Sequence, residues 1–289
     1  MHARLLALAG LVIRLLSARA DESLYRRATL TLDSLGACQG VSVQDGRLYL
    51  YGDREVGVIR PYTLQQDTLA GAGPEIRLTR QGQDVINHPT GLARHPGMPV
   101  FMGNSIRLNA AGTAWKAMLY CLDWEGLLRT HTLDGNLLNT IDDDAAVQGT
   151  RPEYVTYRGK SLVATADYGN QRNEVRLYDP QRLRTARRTS EPGVVVARFS
   201  CSPWVQNLHW IPRSRQLVLV QNQAEGRRWR LTVLDFDRSV ATGREQVLRV
   251  IDTDDADELE GFALLGNGPA ALAVTSSRRQ NVHLLDLHP

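Results

Sequence analysis

Short runs of alternating apolar and polar residues dominate the chain, and they come in pairs. "QGVSVQDGRLYLYGD" from Gln39 holds two such runs around an Asp-Gly turn, and four further segments follow the same plan. These are "TGLARHPGMPVFMGN" from Thr90, "EYVTYRGKSLVATAD" from Glu153, "NLHWIPRSRQLVLVQ" from Asn207 and "EGFALLGNGPAALAV" from Glu260. Alternation with period two marks half-buried strands, and a short turn between two such runs marks a hairpin. From Gln39 to Asp53, Thr90 to Asn104 and Glu153 to Asp167 the offset is the same 14 residues.

Each pair is followed by another strand-like run, often closing on Leu-Asp or Tyr-Asp: "VGVIRPY", "KAMLYCLDW", "NEVRLYDP", "WRLTVLDF" and "NVHLLDL". Each is preceded by one more: "ATLTLDS", "EIRLTR", "NLLNTID", "VVVARFS" and "QVLRVID". Four strands therefore recur five times. Counted at Gly40, Gly91, Tyr154, Leu208 and Gly261, the spacing is 51, 63, 54 and 53 residues, which suits four-stranded propeller blades. The expected fold is all-β, a five-bladed β-propeller over residues 21–289. A lone four-stranded unit cannot bury both faces, so the ring has to close. Because the chain starts on a strand that precedes a pair, "ATLTLDS" (Ala28 to Ser34) is expected to complete the last blade. The extra length in the 63-residue interval, around "LLRTHTLDGNLL", reads as one hairpin rather than a sixth blade.

Residues 1–20 have a different pattern. Arg4 precedes an apolar run from Leu5 to Ile13, and Ala18 and Ala20 form an A-x-A site, the three-part plan of an export signal cleaved before Asp21. The run is well short of the ~20 apolar residues that span a bilayer, so no stable membrane insertion is expected after cleavage. The expected location is periplasmic or secreted. The whole chain has formal net charge +3, but without Arg4, Arg14 and Arg19 it has 31 basic and 31 acidic residues. Bulk charge then gives no support to nucleic-acid binding. Cys38, Cys121 and Cys201 form no metal-ligand spacing and read as three free thiols. A monomer is expected.

In an antiparallel pair the start of the first strand lies beside the end of the second, so the repeat defines a ring on one propeller face. Its first tier is Gln39, Thr90, Glu153, Asn207 and Glu260. The second is Asp53, Asn104, Asp167, Gln221 and, one position off register, Thr275. Polar strand ends beside loops occur on any propeller; the excess of acids is more specific. Asp53, Glu153, Asp167 and Glu260 should converge, with Asp257 and Glu258 nearby, whereas His88 and Arg151 supply the titratable or positive partners. Carboxylates around a narrow channel raise one another's pKa unless a cation sits among them, and calcium would suit such oxygen ligands, with Glu153, Asp167 and Glu260 as the metal set.

No G-x-S-x-G, H-E-x-x-H or complete phosphate loop is present, since Tyr154 stands where "GKS" at Gly159 to Ser161 would need a glycine. "IDTDDADELE" (Ile251 to Glu260) has the composition of a calcium loop but not its spacing, and His209 falls at an interior strand position. The blade entries "CQGVSV", "VQNLHW" and "ELEGFAL" resemble those of five-bladed glutaminyl cyclases of the plant and bacterial type. That resemblance implies a site on this same face, closing N-terminal glutamine into a lactam. It also implies an acid at the entry of the second blade, where "HPTGLA" has Thr90. "LEG" at Leu259 to Gly261 is similar to the Glu-Gly entry of six-bladed, calcium-dependent lactonases of the gluconolactonase and paraoxonase type. Two classes of function follow: an exported module holding a small polar or cationic ligand or peptide in an acidic funnel, or a propeller enzyme using the same funnel.

Overall fold

Five four-stranded antiparallel sheets stand in a ring in the computed structural model, which describes residues 23–223 and 226–288. The expected leader, residues 1–20, lies outside the described residues. From the channel outward, blade one is Cys38–Gln44, Arg47–Asp53, Gly57–Gln65 and Thr68–Gly71. Blade two is Pro89–Ala93, Val100–Arg107, Trp115–Leu122 and Leu137–Asp142, and blade three is Glu153–Tyr157, Lys160–Ala166, Glu174–Tyr178 and Val195–Ser200. Blade four is Val205–Ile211, Gln216–Asn222, Trp229–Asp235 and Val247–Asp252. Blade five is Leu259–Leu264, Ala270–Thr275 and Val282–His288, completed by the N-terminal strand Ser23–Leu30. The five-bladed propeller and its closure are as the repeat predicts. The closing strand lies earlier than expected, because Asp33–Leu35 winds into a 3-10 turn.

Alternation places one side of each sheet against the next blade, and the apolar side chains gather into five clusters, one per blade junction. Tyr51 and Ile59 meet Met102 and Tyr120 between blades one and two. Phe101 and Leu119 meet Tyr154 and Tyr178 at the second junction, and Val155 meets Leu208 and Leu217 at the third. Val220 and Trp229 meet Phe262 at the fourth, and Leu272 and Val282 meet Val41 and Leu50 at the fifth. No blade has a core of its own, which is why an incomplete ring would expose two apolar faces.

Two local expectations are corrected. "EIRLTR" is not a full outer strand: Thr68–Gly71 pairs with the far half of Gly57–Gln65, and only Ile76–Arg77 pairs with its near half. Pro61 lies between the two paired halves, and a proline has no N–H to give a ladder. The "LLRTHTLDGNLL" segment is not a hairpin: it contains the end of a helix, Trp124–Thr130, and a turn leading into Leu137. The recurring Asp after the third strand has a physical role here. Asp123, Asp179 and Asp235 cap helices Trp124–Thr130, Pro180–Leu183 and Phe236–Thr242 by accepting from backbone N–H groups of the first turn.

Candidate functional site

The ring of strand ends is built on β-bulges. In blades one, two, four and five the first strand carries one extra residue near its start: Gln39, Thr90, Gln206 and Glu260. Blade three has no bulge, and its ladder begins directly at Glu153, paired with Ala164. Glu153 and Asn207 are therefore equivalent to Gly40, Gly91 and Gly261, one residue further along than the bulge column. Sequence reasoning missed Gln206 by this one-residue slip. The signal was available, since Gln206 in "VQNLHW" stands where Gln39 stands in "CQGVSV". In the second tier Thr275 is in register with Asn104 and Gln221, and Asp53 lies one position beyond.

A bulge re-aims the extra side chain, and the polar groups so placed form two linked sets. In one, Gln39 Nε2 donates to Asp53 Oδ2 at 3.4 Å, and His88 Nδ1 lies 3.1 Å from the same oxygen. In the other, the buried Arg151 donates from Nε to the Gln206 carbonyl (3.3 Å) and from Nη2 to Gln206 Oε1 (3.1 Å). Gln206 Nε2 in turn donates to Glu258 Oε1 at 2.9 Å and to Glu260 Oε1 at 3.5 Å. Glu258 also accepts from Arg227 at 2.9 Å. Glu260 joins the two sets electrostatically. Burial and the Glu258 charge push its pKa well up, Arg151 opposes this, and Asp53 adds to the rise. Burial lowers the Arg151 pKa, while Asp167 and Glu260 hold it up.

Other expected ring members hold the frame instead. Thr90 donates to the Thr150 carbonyl (2.5 Å), and Asn104 Oδ1 accepts from His88 N (2.9 Å). Asp167 accepts from Val147 N (2.7 Å) and Gln148 N (2.9 Å), so both its oxygens pin the loop between blades two and three. Gln221 donates to the Pro203 carbonyl and accepts from Thr232. The proposed metal set is not brought together. Among the described residues no group of three or more His, Cys, Asp or Glu side chains is arranged to hold a metal.

Asn207 and Glu153 belong to the channel. The Tyr51 side chain passes over Gly40, where any Cβ would strike its ring, and its hydroxyl accepts from Asn207 Nδ2 at 3.1 Å. This bond joins blades one and four, which are not neighbours, so Tyr51 lies across the channel. On the far side of the ring, a cavity of about 380 Å³ reaches in from the hairpin turns to Glu153 and His209. Glu153 accepts from Tyr154 N (3.0 Å), but burial dominates and pushes its pKa up to about 8. His209 Nε2 accepts from Leu264 N (3.2 Å), and burial lowers its pKa to about 4. The cavity thus presents a protonated carboxyl and a neutral imidazole at pH 7. His209 is the satisfied interior histidine expected from its position, and it also lines a cavity. The three cysteines are free, and burial raises the thiol pKa of Cys38 and Cys201 to about 12 and of Cys121 to about 11.

No protein-family model matches the sequence, and no curated protein is similar to it. Among solved structures the chain is similar to the glutaminyl cyclase of Myxococcus xanthus, with TM-score 0.54 and 12% identity, over 93% of this chain and 98% of that one. It also matches a chain of the mitotic checkpoint complex (TM-score 0.45, 13% identity, 86% of this chain and 61% of that one). A third match is hydrazine synthase of Kuenenia stuttgartiensis (TM-score 0.43, 13% identity, 87% of this chain and 59% of that one). The protein is a five-bladed β-propeller, and its distant resemblance to the glutaminyl cyclase is a likeness of fold.

Proposed function

We propose that the protein is an exported, monomeric propeller that binds a small polar ligand at the bulge ring. The observation that carries this reading is a concentration of buried polar atoms without partners: Gln39 Oε1, Asp53 Oδ1, Thr150 Oγ1, Arg151 Nη1 and Thr275 Oγ1. An unmet buried polar atom costs roughly 1–3 kcal/mol, so a group supplying both donors and acceptors would be favoured there. The acids of the ring are matched by Arg151, Arg227 and His88, which supports a ligand with both polarities, such as an amino-acid amide, over a bare divalent ion. Export rests on the leader pattern, and N-terminal sequencing of secreted protein is expected to begin at Asp21. Intact Met1 would overturn it.

A second reading is a cyclase. It is favoured by the Glu153 carboxyl, which opens on the channel cavity with a pKa near that of an effective acid or base at neutral pH. In such a reaction the α-amine of a glutaminyl peptide attacks the side-chain amide carbon, and Glu153 would protonate the departing ammonia. One experiment separates the readings: incubation with glutaminyl-alanine amide, following both melting temperature and ammonia, with calcium chloride as a control. The first reading expects a rise in melting temperature, lost in Arg151→Gln and Glu260→Gln, with no ammonia. Ammonia release abolished by Glu153→Gln would establish the second instead. A response to calcium alone would overturn both in favour of a cation site.

A further inference from the structure

On the face opposite the ring, the turns of blades one and two and the helices after the third strands of blades two and three enclose a cavity of about 580 Å³. That volume suits a small organic molecule. At its inner wall the Arg94 guanidinium lies 4.0 Å from the centre of the Trp124 ring and 4.4 Å from that of Tyr49. The two rings meet edge to face, 5.1 Å apart. The cation is therefore fixed by aromatic packing, and among the described residues no carboxylate forms an ion pair with it. Its Nε and Nη1 are buried without acceptors. Two other such atoms, Trp124 Nε1 and Gln44 Oε1, belong to residues that line the same cavity. Three donors and one acceptor on residues that line one space thus lack partners.

Negative groups are close, and their placement matters. Burial lowers the Arg94 pKa, and Tyr49 and then the Asp45 and Glu125 charges oppose this. Asp123, on the cavity wall, accepts from Gly126 N as a helix cap. Arg184 adds a second cation to the wall, while Met98, Pro99 and Leu138 supply apolar surface. A hydrogen bond from a charged guanidinium to a carboxylate oxygen is among the strong ones, and stacking between two rings holds the donor in place.

We propose that this cavity is a second ligand site, distinct from the bulge ring, that takes a small organic carboxylate. Arg94 Nη1 donates to one carboxylate oxygen and Trp124 Nε1 to the other, and Gln44 Oε1 accepts from a donor group of the ligand, such as an amide N–H. The apolar wall takes the ligand's body. This assignment is independent of the function proposed for the ring.

Calorimetric titration of the full mature chain tests it, with acetate, benzoate and hippurate as probes. Hippuramide serves as the neutral counterpart, and inorganic phosphate as the alternative anion. Hippurate should bind most tightly because it also offers an N–H to Gln44, and hippuramide should bind at least about tenfold more weakly, a difference of about 1.4 kcal/mol. Arg94→Gln should reduce hippurate binding by at least that factor. Trp124→Phe keeps the ring under Arg94 and removes only the N–H, so it should weaken binding several-fold with unchanged circular dichroism. It decides the matter if Arg94→Gln disturbs the fold. Equal binding of acid and amide, full retention of binding in the variants, phosphate binding without carboxylate binding, or no heat with any of the three carboxylates would each overturn the proposal.

Discussion

A chain begun at Thr31, lacking Ser23–Leu30, should lose more than 10 °C of melting temperature or fail to fold cooperatively. That strand makes seven ladder pairs with Val282–His288, from Ser23 opposite His288 to Leu30 opposite Val282. It also packs against two blade junctions, with Ala28 and Leu30 on the core between blades five and one and Leu24 on the core between blades four and five. Arg26 bonds to Asp255 and stacks over Trp229 of blade four, while Arg27 pairs with Asp286. Partial burial of each apolar side chain contributes about 1 kcal/mol or more, and the ladder adds to this. Total stabilities are only about 5–15 kcal/mol. The truncation also leaves Val282–His288 as an uncovered edge, which favours aggregation. Calorimetry against a chain trimmed at the exposed hairpin tip Asn109–Thr113 checks the claim. Equal melting of the two would mean that the N-terminal strand does not secure the ring.

Glu153→Gln should stabilise the protein at pH 8 and leave it nearly unchanged at pH 4. The carboxyl has its ordinary pKa of about 4.5 when unfolded and about 8 in the fold, where burial disfavours its charge. Below pH 4.5 both states are protonated, and the group adds nothing to the pH dependence. Between pH 4.5 and 8 the folded state holds one more proton than the unfolded state, so stability falls as pH rises through this window and levels off above it. At about 1.4 kcal/mol per pKa unit the full loss is roughly 5 kcal/mol, and glutamine, which resembles the neutral acid, avoids it. His209 works in the opposite sense. Its folded pKa of about 4 lies below the ordinary 6.5, so its contribution is present above pH 6.5 and is lost as pH falls through 4. The two slopes oppose each other between pH 4.5 and 6.5, so the variant should reveal the histidine slope alone. Denaturant titrations at half-unit pH steps make the comparison. Parallel curves for the two proteins would show that Glu153 ionises freely and does not face a desolvated cavity.

Both results turn on features that were unequally visible in the chain. The repeat of strand pairs required five blades, because the alternation of period two and the turns between runs are local properties that each segment specifies for itself. Closure followed from the same count, since a strand left over at the start can only be satisfied by the blade left short at the end. The Leu-Asp and Tyr-Asp endings were visible too, although their purpose as helix caps at Asp123, Asp179 and Asp235 was not.

The sequence also placed Gln39, Asp53, His88, Arg151 and Glu260 on one face, and folding brings these residues into the linked sets of the ring. It could not separate the columns of that ring. A single bulge inserts one residue and turns the following side chains to the other face, and blade three lacks the bulge that four other blades have. In the true register Glu153 and Asn207 share the channel column, one residue past the bulge column, and the bulge of blade four brings Gln206 into the ring. Which polar residues hold loops, as Asp167, Asn104 and Thr90 do, was equally hidden, because their partners are backbone groups of segments distant in the chain. The Arg94 site is a further case: Tyr49, Arg94 and Trp124 come from three separate segments, and only packing between blades one and two puts one cation between two rings. Local periodicity therefore determined the strands, their number and the closure of the ring. Burial and long-range pairing, which depend on the whole fold, decided which side chains meet and which of them carry charge.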